Sequence, residues 1–549
     1  MDERVRDLMD EFGVLKAQRL NWETTWSDIQ QNVIPHRTGF EESPEKGQRH
    51  DSKIYDGTPL AALNTYASGS QGYLLSNVFK WFGLRVAEER VMDIREVRMW
   101  LSVVEQVLYG LVQRSNFYKQ MYELFRDGGA FGTATLYSWF DEGERKEWFT
   151  TIHPREIYIA ENDNGEVDTV FHHYQMSYKR AMQRFKNDTV HPEVEKAAGE
   201  AHRKYEEMEI LRVVRPNERW ERGRADNASM RFESMYIDVD RQVVMREGGH
   251  AINPYAVWRV EKSSDEAYGR GPGWTALADI KALYAYAKSD ITAAQLMVNP
   301  PLEIPTERYD FKYLPGGRNY YDDQSRRAFV MDTRIDLKAG LEREERTRKI
   351  IEKHFLVDFF LLMSQMDRDV TATEIRRRQE EKAVILGPHI AGLNQDVLDR
   401  IIDRLFMDAW DAGMIPPPPR VLVESGQHMD VDYMGPLAQA QRSFFHSEPY
   451  RASLGDIMGV AQLRPDVLDN YNWDFITREM SKAQGMPEEA LLDEKIVAQV
   501  RQVRQQQLQQ QRQLAAMEQM GKAAGGLGKS VEEGSVLEAM DKEKAGAPG

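Results

Sequence analysis

The segment AAGGLGKS at 523–530 comes nearest to a catalytic signature in this chain. It fits a relaxed phosphate-loop pattern, with Ala523 where the first glycine belongs. Such a loop works because a strand delivers it and a helix N-terminus follows, aiming backbone N–H groups at the phosphates. Here a Gln-rich helical pattern precedes it, and the nineteen residues after Ser530 are too few for the rest of a nucleotide fold. It reads as a flexible Gly-rich linker. YGRGPG at 268–273 lacks the spacing of a dinucleotide fingerprint and reads as a tight turn that launches a helix. His172 and His173 adjoin in a strand pattern and so face opposite sides, which bars them from ligating one metal together. Asp238 with Asp240, Asp367 with Asp369, and Asp430 with Asp432 lack a third ligand or a paired base. They read as solvated loops and strand faces. H-E-x-x-H, nucleophile-elbow and EF-hand patterns do not occur. The expectation is a non-enzyme that needs no cofactor and no metal.

Two features could touch DNA. Lys281 and Lys288 lie seven residues apart on one side of a helical pattern. In a ring of such helices they would form two stacked rings of positive charge; otherwise they are intersubunit or solvent-facing lysines. Arg376, Arg377 and Arg378 are successive helical residues that point in different directions, so they read as a solvated face or as salt bridges.

Periodicity supplies the elements that must position these groups. Val5, Leu8, Phe12 and Leu15, then Trp22, Trp26, Ile29 and Val33, keep helical spacing, so 1–34 reads as helix ended by Pro35. Residues 58–80 and 94–126 give two more helical patterns, with WFGLRV at 81–86 between them as a short strand. From 130 to 262, β-branched and aromatic runs bounded by Gly, Asn, Asp and Pro read as sheet, with one polar helix near 178–207. Helices first and sheet after argue for an α+β fold.

Residues 274–298 run without Gly or Pro until Asn299-Pro300-Pro301 stops them. Leu277, Ile280, Tyr284, Ala287, Ile291, Ala294 and Val298 recur at spacings of three and four. That is a heptad seam on a helix about 37 Å long at 1.5 Å per residue. It packs either inside one chain or against copies of itself. A second long helix spans about 340–364, charged first and then apolar around Phe355, Phe359 and Leu362. The stretch between them, with its Pro315-Gly316-Gly317 turn, makes the whole a stalk with a tip. Thr371 and Glu374 form a capping box after a loop at about 364–370, and Gly387-Pro388 break the helix that it opens. A further helix at 390–412 carries Ile390, Val397, Ile401 and Leu405 on one face. RVLVE (420–424) and MDVDY (429–433) read as short strands, and 437–485 as helical and loop-rich. The helix at 486–520 has nine Gln among residues 499–513 and only sparse apolar positions (Ile496, Val500, Val503, Leu508, Leu514), so it needs neighbouring copies. Residues 521–549 read as a disordered tail.

At roughly 150 residues per domain, 549 residues suggest three or four domains. Hydrophobic residues at 41% and charged residues at 29% permit a sizeable core. With 72 Lys+Arg against 88 Asp+Glu the net charge is -16. Duplex affinity comes mostly from phosphate neutralisation, so this chain is a poor tight, non-specific DNA binder. The absence of cysteine excludes disulfides, thiolate metal sites and cysteine nucleophiles. MDERVRDLMDE is too charged for a signal peptide. FLVDFFLLM at 355–363, interrupted by Asp358, falls far short of the about 20 residues of a membrane span. A soluble, intracellular protein is expected.

Several strings, in order, then resemble one family. They are NWETTWSDI (21–29) with VIPHR (33–37), DGTPLAAL (56–63), ASGSQGYLLS (67–76) with WFGLRV, and SNFYKQMYE (115–123) with FGTATLY (131–137). VWRVEK with YGRGPGWTALADIK (257–281), NPPL (299–302) and PGGRNYYD (315–322) follow. TATEIRRRQEE (371–381) with LGP, IPPPP, and YMGPLAQAQR (433–442) complete the set. Together they span roughly 20–445 and resemble the head-to-tail connector, or portal, proteins of short-tailed, podovirus-type bacteriophages. The chain departs from the family pattern at Gly435, where Ser is expected before Pro436.

The resemblance implies a ring of twelve identical subunits at one capsid vertex, with a central channel through which double-stranded DNA is packaged and ejected. It implies a wing (1–273 and 372–435), a stem of two helices (274–298 and 340–362), a clip (299–339) and a tunnel loop (363–371). The tunnel loop holds Asp367, Arg368, Asp369 and Val370. A helical crown with a possible short barrel follows at 436–520. Lys281, Lys288 and Arg368 become the expected DNA-channel residues, and the seam from Leu277 to Val298 the expected intersubunit contact. If the acidic excess lines the bore, repulsion keeps the duplex off the walls. The implied partners are other copies, viral DNA, the major capsid protein and scaffold, the large terminase subunit at the clip, tail or adaptor proteins after it, and internal core or ejection proteins. No membrane is implied; the place is the virion, after assembly in the host cytoplasm. Two other classes compete. A packaging nuclease or ATPase needs an acidic metal cluster or a true phosphate loop. A low-order helical interaction scaffold needs a native mass of one or two chains.

Overall fold

A computed structural model describes residues 3–40, 53–304, 318–320, 329–330, 337–364, 391–435 and 464–527, with 312, 453–454 and 457–458, and apart from 79, 93, 187, 189, 221–229, 484–490 and 493. The chain forms two units, Met1–Phe445 and His446–Gly549. Both helix and sheet build the first, as an α+β reading requires.

Helix α1 (Glu3–Asn32) carries two apolar stripes because its hydrophobic residues recur at helical spacing. Val5, Leu8, Phe12 and Leu15 bury against a five-stranded sheet; Trp26 and Ile29 enter a separate, mainly helical core. Between the stripes lies Arg19, almost fully buried, which donates to the carbonyls of Pro154 at 3.1 Å and Arg155 at 2.8 Å and pairs with Glu23 at 2.6 Å. One cation thus fixes the helix to the turn that opens the sheet.

Helix α2 (Thr58–Leu74) stops six residues before the expected end, and β1 (Phe82–Val86) follows. After the short α3 (Glu89–Met92), the pattern at 94–126 is two helices, α4 (Arg95–Arg114) and α5 (Phe117–Phe131). Ser115 turns extended (ψ 179°) and ends α4, and its hydroxyl accepts from the N–H of Phe117, the first residue of α5, at 3.1 Å. Strands β2 (Thr133–Asp141) and β3 (Lys146–Ile152) then pair antiparallel.

The five-stranded sheet is an antiparallel meander of β4 (Ile157–Glu161), β5 (Val167–Ser177), β6 (Glu207–Pro216), β7 (Phe232–Asp238) and β8 (Val243–His250). Side chains alternate along a strand. Leu211 and Val213 therefore meet α1, while Ile210 faces the other way, toward α6 (Tyr178–Arg184) and α7 (Pro192–Gly199). The polar helix expected near 178–207 is these two short pieces. Strand β9 (Tyr255–Arg259) returns to β2 and completes a three-stranded sheet.

Helix α8 spans Pro272–Val298, followed by the two-residue pair β10 (Leu302–Glu303) and β11 (Phe329–Val330). Helix α9 (Leu337–His354) and α10 (Val357–Ser364) divide at Leu356, whose φ is +56°, so the second long helix is broken where a continuous run was expected. The capping box at Thr371 and Glu374, Arg376 to Arg378, and Ile390 lie outside the described residues. A π-turn (Asn394–Leu398) leads into α11 (Asp399–Asp411), which buries Ile401 and Leu405 as its spacing predicts.

RVLVE is a helix, α12 (Arg420–Ser425), and not a strand. Pro419 starts it, Gly426 at φ +61° ends it, and Leu422 is buried while Val421 and Val423 stay exposed. Alternation over five residues could not tell one buried helical position from a strand face. MDVDY is the expected strand, β12 (Met429–Tyr433), and pairs antiparallel with β1 from Phe82↔Tyr433 to Val86↔Met429.

In the second unit, α13 (Trp473–Ala483) and α14 (Glu494–Leu527) are tied by Arg501, which meets both carboxylate oxygens of Asp474 at 2.6 Å. Ile496, Val500, Val503, Leu508 and Leu514 are all exposed. Helix α14 runs through Gly525 and Gly526 to Leu527, into the stretch expected to lack structure. A helix therefore continues where a phosphate loop would need to turn; Gly528 to Ser530 lie outside the described residues.

Candidate functional site

Pro272 is pre-set for a first helical turn, and no breaker follows Gly273 before Asn299, so α8 forms as one rod. Its first half is held by this chain. Ala276, Ile280, Leu283 and Tyr284 pack with Trp26, Phe131, Ile351 and Phe355. The Tyr284 hydroxyl donates to the Asn32 carbonyl at 2.6 Å, and Lys281 pairs with Asp28 at 2.6 Å. After Ala287 no residue of α8 is buried.

This corrects the expected seam. Ile280, Tyr284 and Ala287 are buried in the core of their own chain and are not available to a neighbouring copy. Leu277 packs against the same core and is partly covered. Ile291 and Val298 are 47% and 86% exposed, with Ala294 half-buried between them and Met297 exposed beside them. The periodic stripe is continuous in sequence, but its occupant changes near residue 288.

Helix α9 lies antiparallel to α8, since His354 approaches Asp279 (3.3 Å) while Arg343 approaches Asp290 (3.8 Å). The Arg343 guanidinium sits 4.0 Å from the Tyr286 ring centroid. Glu344 hydrogen-bonds Asp290, and burial together with that acid neighbour raises its carboxyl above the ordinary value, although Arg348 opposes the shift. Arg348 also reaches Asp56 at 2.8 Å, tying the hairpin to the segment before α2. Spacing does not disclose the Asp290–Glu344 pair; an Asp inside an otherwise apolar stretch was the available sign. At the far end the β10–β11 pair (Leu302↔Val330) closes the excursion between the helices. The stalk with a tip is thus a two-helix hairpin.

Of the two lysines, Lys281 is neutralised by Asp28, while Lys288 is exposed with its Nζ 6.0 Å from the Tyr55 ring centroid. The hairpin does not carry the acidic excess: α9 holds six Lys/Arg against four Glu. Asp367, Arg368, Asp369 and Val370 lie outside the described residues. His172 and His173 take separate partners, Glu156 at 3.5 Å and Glu209 at 3.1 Å, as opposite faces require. Among the described residues no group of three or more His, Asp or Glu could hold a metal ion, and no helix is long and apolar enough to cross a membrane.

The family model for bacteriophage head to tail connecting protein matches residues 5–492. The chain belongs to that family. Among its relatives is a "Probable portal protein" of Bordetella phage BPP-1, 26% identical over 537 residues, which cover 95% of each chain. Another is the "Portal protein" of Salmonella phage epsilon15, 27% identical over 542 residues, 96% of this chain and 95% of that one.

Proposed function

We propose that this chain is one subunit of a portal ring. Twelve copies surround a channel at one capsid vertex, through which double-stranded viral DNA is packaged and later ejected. The observation that carries this reading is the α8–α9 hairpin, rooted in its own chain up to Ala287 and then presenting Ile291, Met297 and Val298 uncovered. An exposed apolar row on a projecting helix suits another copy, and copies related by a rotation that closes make a ring. Membership of the connector family, with two full-length portal relatives, supports the same reading.

The tip of the hairpin is then the clip, where the large terminase subunit docks during packaging and tail or adaptor proteins afterwards. The body with its sheets is the wing, facing the major capsid protein, scaffold and internal core proteins. Lys288 and the tunnel-loop Arg368 face DNA as sparse, weak phosphate contacts, which lets the duplex slide. The chain is a conduit, and hydrolysis of ATP belongs to the terminase. Light scattering on the purified chain tests the ring: the expected native mass is roughly twelve times the 63.5 kDa of one chain. A mass of one or two chains under assembly conditions overturns the reading.

A further inference from the structure

Arg212 on β6 is 3% exposed and lies on the sheet face turned away from α1. Its guanidinium stands 4.6, 4.9 and 5.3 Å from the ring centroids of Tyr137, Tyr236 and Tyr255. Its Nη2 donates to His250 Nε2 at 3.1 Å, and its Nε has no partner. Burial, and then the charge of Arg212, lower the His250 pKa to about 3, so that ring is a neutral acceptor. The groups that act most strongly on Arg212 are tyrosines and not carboxylates. The same holds for Arg184, which donates to the Tyr236 hydroxyl at 3.3 Å. A buried guanidinium without an anion is an unfavourable arrangement that a ligand can relieve.

In front of Arg212 opens a cavity of about 1000 Å³, which Arg180, Arg184, Tyr174 and Ser234 also line. Arg180 and Arg184 are exposed at its mouth, while the Tyr174 hydroxyl and Ser234 Oγ are buried and unpartnered. Arg155 and Arg246 line it too but are met by Glu156 at 3.2 Å and Asp188 at 2.5 Å. Among the described residues, six arginines and two carboxylates, Glu156 and Glu207, line the cavity, so it keeps a net positive charge, with free donors from Tyr174 and Ser234 and room for far more than a single anion.

We propose that this cavity binds a phosphate-bearing small molecule, whose phosphate oxygens accept from Arg212 and Arg184. Ser234 Oγ, the Tyr174 hydroxyl and Arg180 are the further donors within the site. A phosphate ester presents about two charges and three acceptor oxygens, which suits several guanidinium groups better than a single carboxylate does.

Calorimetric titration of the full chain with pyrophosphate, at constant ionic strength, tests this. The expected result is saturable binding that Arg212→Met abolishes and Arg184→Gln weakens about tenfold. Arg203→Gln, at an arginine outside the cavity, should leave it unchanged. Because Arg184 is exposed, its variant keeps the test decisive even if Arg212→Met fails to fold. Absence of binding, equal loss in Arg203→Gln, or competition by citrate as strong as by pyrophosphate overturns the proposal. So do variants that change native mass while leaving the titration unaltered, because an acidic segment of another copy would then be the occupant.

Discussion

A Cβ on Gly273 would stand 2.5 Å from the carbonyl oxygen of Ala130. Gly269 is similarly tight against the Gly132 carbonyl, at 2.8 Å, and Gly271 lies closer still to the Gly128 carbonyl. The glycine turn is thus laid directly on the junction of α5 and β2, and the root of α8 is set by backbone touching backbone. Gly273→Ala isolates this effect. Helix propensity favours Ala there by about 1 kcal/mol, but the neighbouring carbonyl must give way. We expect a net loss of about 1–3 kcal/mol, read as a lower urea midpoint. An unchanged or raised midpoint would show that the junction yields freely.

The two halves of α8 call for opposite outcomes from the same substitution type. Ile280→Asp places a carboxylate in a core without a partner and should destabilise the chain by about 3 kcal/mol or more. Ile291→Asp should leave the thermal melt of the chain nearly unaltered while lowering the native mass. Intact rings with Ile291→Asp would remove the exposed half of the stripe from the interface.

Lys288→Glu should preserve folding and assembly while changing the DNA content of particles. Lys281→Glu sets a carboxylate against Asp28 instead, at an exposed pair worth at most about 1 kcal/mol. Particles with ordinary DNA content after Lys288→Glu would show that this lysine does not meet the duplex.

Glu147 on β3 is fully buried, 3.8 Å from Arg404. Burial first, and then the charge of Asp408, push its carboxyl up to about 8. A carboxyl raised on folding favours the native chain when protonated. Its contribution is full below the ordinary 4.5 and declines as pH rises toward 8. Glu147→Gln should therefore flatten the fall in melting temperature between those two values. Equal pH slopes for both proteins would show that another group governs the loss.

Boundaries were legible at the breakers that flank α8 and at Pro419 and Gly426 around α12. Pro272 and Asn299 bracket α8, and the alternation in MDVDY predicts β12. The side of α8 that meets a neighbour was not legible, because periodicity says that a stripe is covered and not by what. Ile280 and Ile291 share that stripe and differ only in what the rest of the chain brings against them. The break at Leu356 was hidden inside an apolar run that suits a helix throughout. The Arg212 cavity left no local trace, since β2, β6, β7 and β9 each contribute one of its central residues.

The pairing of Phe82 with Tyr433 has a consequence for synthesis. The hairpin and the three- and five-stranded sheets lie in sequence between these two ladder partners, so the whole stalk is synthesised before β1 can pair with β12. A polypeptide that stops short of β12 keeps an open strand edge on β1, a mark of incompleteness that a chain extending past Tyr433 loses once the two strands pair.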